Sequence, residues 1–157
     1  MDFNRDSIVF ELEQDEDGYP PHQFELLQGE RLESGDYRIA ETPFFATGVA
    51  LGDIVSVKVG DETPKHAATI VSCSGLISIS IIAHDREACA RIEALIDGFR
   101  DEIDQSRHRQ LRTNFSIYGL ALRPEVYASK LKPQFEAMEA SCKFSFAELA
   151  ILGDEGI

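Results

Sequence analysis

The feature that most constrains this chain is a change of period near residue 75. Before it, apolar residues recur at every second position in short runs; after it, they also recur at spacings of three and four. A strand sends alternate side chains to one face, and a helix sends every third or fourth. Ile8 to Glu13, Phe24 to Leu32, Tyr37 to Ala40, Ile54 to Val59 and Ala68 to Cys73 are therefore predicted strands. Turn signals separate them at Asp17-Gly18-Tyr19-Pro20-Pro21, Ser34-Gly35-Asp36, Leu51-Gly52-Asp53 and Gly60-Asp61-Glu62-Thr63-Pro64. Five short strands joined by tight turns predict a small antiparallel β sheet or an open barrel.

Leu76 to Ala83 predicts a further strand, with Ile77, Ile79 and Ile81 on one face and Ser78 and Ser80 on the other, the pattern of a half-covered sheet. From Asp85, a plausible N-cap, to about Ile103, the residues Cys89, Ile92, Leu95, Ile96, Phe99 and Ile103 form a helical stripe. Arg107 to Arg112 and Phe115 to Leu122 follow as strands. Pro124 suits the first turn of a second helix with Leu131, Phe135, Met138 and Cys142 on its stripe, and Pro133 must kink that helix or begin a separate one, a break being preferred. Phe144 to Ile151 alternates as a closing strand. From Leu76 the order is β-α-β-β-α-β, the ferredoxin-like pattern, with Ile79, Ile81, Leu95, Phe99, Phe135 and Phe146 in one core. The expected fold class is α+β: an acidic small β domain over residues 1–74 and a ferredoxin-like half over 75–157. The junction near Cys73 to Gly75 is short and uncharged, so the halves are expected to pack as one unit.

Hydrophobic residues make up 43% of the 157 and charged residues 27%, a globular balance. The net charge of -13 is uneven: through Pro64 there are fifteen acidic residues against four basic ones, and from Lys65 onward thirteen against eleven. Such a field disfavours nucleic acid and anionic membranes and favours a basic partner, unless it serves solubility alone. The start, Met1 to Asp6, lacks the basic and apolar run of a secretory signal, and the apolar runs Ile77 to Ala83 and Leu120 to Leu122 are too short to span a bilayer. A cytoplasmic protein is expected. Cys73, Cys89 and Cys142 sit among apolar neighbours and read as buried thiols of a reducing compartment.

Two motifs carry a resemblance. Asp17-Gly18-Tyr19-Pro20-Pro21-His22, followed by Thr42-Pro43-Phe44-Phe45-Ala46-Thr47-Gly48-Val49-Ala50-Leu51-Gly52-Asp53-Ile54-Val55, resembles a family of small bacterial proteins, domain of unknown function 4265. The resemblance covers most of the chain and is looser in the second half, with extra residues around Pro124 to Lys132. It implies a bacterial cytosolic protein and no activity. Physically, Gly18 can take a positive φ while Tyr19, Pro20 and Pro21 fix an extended corner that presents Tyr19 and His22; that rigidity suits an interaction loop or a stiff hairpin connection. If Phe44 and Phe45 are extended, one faces the core and the other is exposed or under a loop. Gly48, Gly52 and Asp53 read as a close-packed turn.

Other constellations are weaker. Glu13, Asp15, Asp17 and Gly18 mimic the start of a calcium loop, but Phe24 occupies the place of the closing Glu, Glu25 comes one residue late, and Pro20 and Pro21 intrude. His22, His66, His84 and His108 lack zinc spacings. Cys89 and Cys142 lie on apolar helix stripes and Cys73 on a strand, so packing is favoured over nucleophilic roles. No phosphate loop, GxGxxG or nucleophile elbow is present. The basic cluster of Arg107, His108, Arg109 and Arg112 lacks interleaved aromatics and is expected to pair with the acidic half or to protect a strand edge.

The sequence therefore predicts no cofactor, no metal and no catalytic residue. It points to a non-enzymatic protein-binding module, most concretely an immunity protein that covers the basic active site of a cognate toxin. Asp15, Glu16, Asp17, Glu30, Glu33 and Asp36 would supply the field, and Tyr19, His22 and one of Phe44 or Phe45 the anchors. The alternatives are a small-molecule sensor or minor enzyme with a pocket between the halves, and a self-assembling structural protein.

Overall fold

The computed structural model describes residues 4–18, 20, 22–60 and 64–151. Strands β1 (Arg5–Glu11), β2 (Phe24–Arg31), β3 (Tyr37–Ile39), β4 (Ile54–Val57) and β5 (Lys65–Ser72) form a closed barrel in chain order. The expected sheet or open barrel is thus closed. Each strand is antiparallel to the next, and an odd number of strands leaves the first and last pointing the same way. They seal in parallel through Ile8 opposite Lys65 and Val9 opposite His66. Register shifts at Ile54/Val55 and Val55/Val57 bend β4 against β5, as bulges do, and closure removes the edges an open sheet would leave. Ile8, Leu27, Tyr37, Ile39, Ala46, Val49 and Val55 fill the inside.

Strands β6 (Ile77–Ala83), β7 (Ile103–Arg112), β8 (Phe115–Leu122) and β9 (Phe144–Ala150) form a second sheet in the order β7-β8-β6-β9, with every neighbouring pair antiparallel. Helix α1 (Arg86–Gly98) starts at Asp85, whose carboxylate accepts the Ala88 N–H at 2.8 Å. It stops earlier than its stripe predicts: Gly98 ends it, Arg100–Glu102 forms a 3₁₀ turn, and Ile103 already belongs to β7. The strand expected at Arg107 to Arg112 is therefore longer at its start. After β8 come α2 (Pro124–Val126), a π turn (Tyr127–Leu131) and α3 (Lys132–Ser141): Pro133 lies in the first turn of a separate helix, as expected, but the backbone stays helical through the π turn in place of the preferred break. The Lys132 N–H reaches back to the Tyr127 carbonyl, five residues away, so the wider turn seats Pro133 at the start of α3.

The helices cover one face of this sheet. Ile79, Ile81, Ile92, Tyr127, Phe135 and Met138 are buried together there, with Leu95, Phe99 and Phe146 half-buried against them. The barrel and the segment before β4 cover the opposite face, where Phe44, Phe45 and Ile117 cluster with Leu12 and Ile82. This double cover corrects the half-covered reading of β6: Ser78 and Ser80 are buried, like Ile77, Ile79 and Ile81 on the other face. The thiols also depart from expectation, since Cys73 is exposed and Cys89 and Cys142 are only half-buried. Cys73 follows β5 in the junction, outside either core. Among the described residues, no helix is long and apolar enough to cross a membrane.

Candidate functional site

A row of side chains crosses the barrel-facing side of the second sheet. The pairing sets Arg107 opposite Gly119, Gly119 opposite Ser80, and Ser80 opposite Ala147, one residue from each strand. Three of the four are small, so the row forms a trough. The segment Thr42 to Ala46 fills one end. A Cβ on Gly119 would lie 2.9 Å from the Pro43 carbonyl oxygen, so glycine is required for this approach. Thr42 donates through its N–H and its hydroxyl to Gln105 Oε1, each at 2.7 Å. Arg107 donates to the Thr42 carbonyl, pairs with Glu41 at 3.4 Å, and stacks 4.3 Å over the Phe44 ring, with Arg109 5.0 Å from the same ring. The basic cluster thus does pair with the acidic half, through Arg107.

From the barrel, Glu25 holds the same segment. Its carboxylate accepts the Phe44 N–H at 2.7 Å on Oε2, and the Phe45 and Ala46 N–H groups at 3.0 and 2.8 Å on Oε1. Three consecutive amides converging on one carboxylate make charge-assisted bonds. Asp53 does similar work beyond it, accepting the Ala50 N–H at 2.9 Å and the Ser74 N–H at 2.8 Å and so tying the turn to the junction. The Ser78 hydroxyl donates to the Val49 carbonyl at 2.9 Å.

At its other end the trough is open. A groove of about 560 Å³ lies over Ser80 and Ala147, walled by Leu12, Pro20, Phe44, Phe45, Thr47 and Leu149 and bordered by Glu11, Glu13 and Asp15. Gly48 N–H donates to the Leu149 carbonyl at 2.9 Å, joining barrel and sheet beside it. Glu148 also borders the groove, but its carboxylate is engaged by the Tyr127 hydroxyl at 2.5 Å and by Lys132 at 3.1 Å. The Tyr127 bond, reinforced by Lys132, holds the Glu148 carboxyl below the usual glutamate range against the opposing effect of burial. Burial, and then the bond to Glu148, push the Tyr127 phenol well above its ordinary value, so it remains a donor. Ser80 is only 4% exposed, and its hydroxyl has no hydrogen-bond partner among the described residues. Lysine and arginine are absent from the described lining of this groove.

The predicted site residues divide between two ends of the barrel hairpin. Asp15 borders the groove, and Asp15, Glu16 and Asp17 occupy an exposed turn in which Asp15 Oδ1 accepts the Asp17 N–H at 2.9 Å and Gly18 has φ 78°. His22 is exposed with its ring 5.6 Å from that of Phe45. Glu30, Glu33 and Asp36 lie at or beyond the far end of β2, roughly 20 Å away at the rise of an eight-residue strand. They do not join the first group in one patch. Phe44 and Phe45 are 2% and 8% exposed, so of the two alternatives for the second ring the exposed one is ruled out: both rings are covered, against β8 and the groove wall. Tyr19 and Pro21 lie outside the described residues.

Sequence reading missed Glu25, Gln105, Arg107 as a clamp, Ser80 and Ala147. Only the Ser78/Ser80 alternation hinted at the trough. The partners of Glu25 and Gln105 are 19 to 65 residues away, beyond any local pattern.

A hypothetical protein from Neisseria gonorrhoeae, known from its crystal structure, is similar in fold, with a TM-score of 0.69, 23% identity and 94% of each chain covered. No curated protein matches the chain. The model of a domain of unknown function, DUF4265, matches residues 25–117, which include the Thr42 to Val55 motif and the clamps around it but begin after the Asp17 to His22 motif. That match spans more than half of the sequence, and the chain belongs to the DUF4265 family.

Proposed function

We propose that this protein is a non-enzymatic binding module of the cytoplasm and that the groove between barrel and second sheet is where it meets a basic protein partner. The supporting observation is the combination of Glu11, Glu13 and Asp15 at the border with apolar walls and a buried hydroxyl on the floor. Carboxylates around a cleft with apolar walls favour a cation, since charge at the rim steers encounter and the interior supplies contact area. An immunity protein that covers the basic cleft of a toxin is the most concrete form of this reading. The second half is read as ferredoxin-like from its β9-β6-β8-β7 order with helices on one face, a fold that carries no function of its own. The second reading is a small-molecule sensor or minor enzyme, favoured by a groove of a size that small ligands occupy.

The test is capture of a partner from native host lysate with the wild type and with the Glu11→Lys/Glu13→Lys double variant. A basic protein retained by the wild type and lost by the variant supports the proposal. An acidic or nucleic-acid partner, or a basic one held equally by both proteins, contradicts it.

A further inference from the structure

We infer that the groove receives a lysine or arginine side chain, head first, from an extended basic segment of the partner laid along β9, with an N–H of that head donating to Ser80 Oγ. This rests on the groove being the partner site and names the chemistry inside it. Acidic residues at a border would not by themselves define a site. The independent observation is Ser80: a hydroxyl in an almost completely buried side chain without a partner among the described residues. Buried polar atoms are nearly always satisfied, and one left unsatisfied costs stability.

The two serines of β6 show the contrast. Ser78 and Ser80 share the barrel-facing side of one strand. Ser78 is satisfied by the Val49 carbonyl, whereas the space over Ser80 is the groove. The cross-strand neighbours make that space: Gly119 on one side is covered by Pro43, and Ala147 on the other carries a single methyl. Any longer side chain at 147 would occupy the volume. The walls Phe44, Phe45 and Leu149 suit the methylene stem of lysine or arginine, whose charged end prefers polar company. A hydroxyl oxygen can accept from an ammonium or guanidinium, and Glu11, Glu13 and Asp15 supply the compensating charge nearby. The volume of about 560 Å³ accommodates more than one side chain, which agrees with an extended segment rather than a lone cation. Among the described residues β9 is an edge strand of its sheet, so such a segment has an edge to follow up to the point where Gly48 bonds the Leu149 carbonyl.

The experiment uses fluorescence anisotropy with labelled hexalysine, hexaarginine and hexaglutamate on the full chain, at low and at physiological salt. The proteins are the wild type, Ala147→Leu, Ser80→Ala, and Glu33→Lys/Asp36→Lys at the far end of the hairpin. The basic peptides should bind the wild type. Ala147→Leu should weaken them at least tenfold by filling the groove, Ser80→Ala about threefold to tenfold, and the distant double variant less than the plug. Ser80→Ala also has a readout without any peptide: deleting an unsatisfied hydroxyl should leave the Tm unchanged or raise it by about 1–3 °C. It needs no added space, so the comparison stands even if Ala147→Leu fails to fold. Basic peptides that lose Ala147→Leu but bind Ser80→Ala like the wild type would overturn this inference and leave the groove as the partner site, whereas loss at the distant variant instead would overturn the groove reading as well. Basic peptides that bind the wild type no better than hexaglutamate would overturn both.

Discussion

The two faces of the second sheet are held by different physics. On the helix side, Ile79, Ile81, Ile92 and Phe135 meet as close-packed hydrocarbon, where burial is non-directional and scales with area. On the barrel side the apolar cluster is small, and the attachment runs through Glu25, Gln105, Arg107 and Ser78 onto backbone groups of residues 42–49. A packed face must be filled everywhere. A face joined at discrete polar points can leave a space between them, and the groove over Ser80 and Ala147 is such a space. Stability is concentrated on one side and opportunity for binding on the other.

The largest effect expected from this division is on the helix side. Phe135 is fully buried and its ring lies 5.8 and 5.4 Å from those of Phe144 and Phe146. Phe135→Ala should cost about 3–5 kcal/mol in urea unfolding. Phe99 is only half-buried, so Phe99→Ala should cost clearly less; equal costs would break the assignment of the helix faces.

Next comes the polar clamp. Glu25→Gln keeps the shape but replaces one carboxylate oxygen by an NH₂ donor aimed at backbone donors. It should cost about 1–3 kcal/mol. Amide exchange of Phe44, Phe45 and Ala46 should accelerate selectively in the variant, while that of Ile79 and Ile81 should change only with global stability. Uniform acceleration across both faces would mean that the barrel side is not a separate, locally held layer.

The division also explains what the sequence could and could not disclose. Period two in β1 and β2 and period 3.6 in α1 follow directly from which residues meet apolar neighbours, so these elements were visible, as was the β-α-β-β-α-β order after Leu76. The end of α1 was not, because Ile103 continues the helical spacing while its backbone has joined β7. Pro133 marks the first turn of a helix from sequence alone, but that a π turn carries the chain into it without a break depends on local backbone geometry no pattern shows. At the candidate site only Asp15 was legible among the border residues. Ser80, Gly119 and Ala147 become one row only when three strands are placed in register, and Glu25 acquires its role only once the Thr42 to Ala46 segment folds over β2.

The smallest expected effect concerns pH. The Glu148 carboxyl is held below the ordinary value of 4.5, chiefly by the Tyr127 hydroxyl. A lowered folded-state pKa contributes stability that is complete above the unfolded value and is lost as pH falls through the folded one. Tyr127→Phe should therefore destabilise by under about 1 kcal/mol near neutrality, since the Glu148 carboxylate is partly open to solvent and keeps Lys132 as a partner. The gap between the two proteins should narrow as the pH drops below about 4. A gap that widens in acid would reverse the assigned sign.

If the groove is the partner site, binding falls on the barrel-facing side of the sheet and not on its helix side or on Glu30, Glu33 and Asp36 at the far end of β2. Amide chemical-shift mapping of the full chain titrated with hexalysine addresses this placement most directly. Saturable shifts are expected at Thr47, Gly48, Ser80, Ala147 and Leu149, with Ile92 and Phe135 silent. Shifts centred on Glu30, Glu33 and Asp36, or on the helices, with the groove unperturbed, would contradict it.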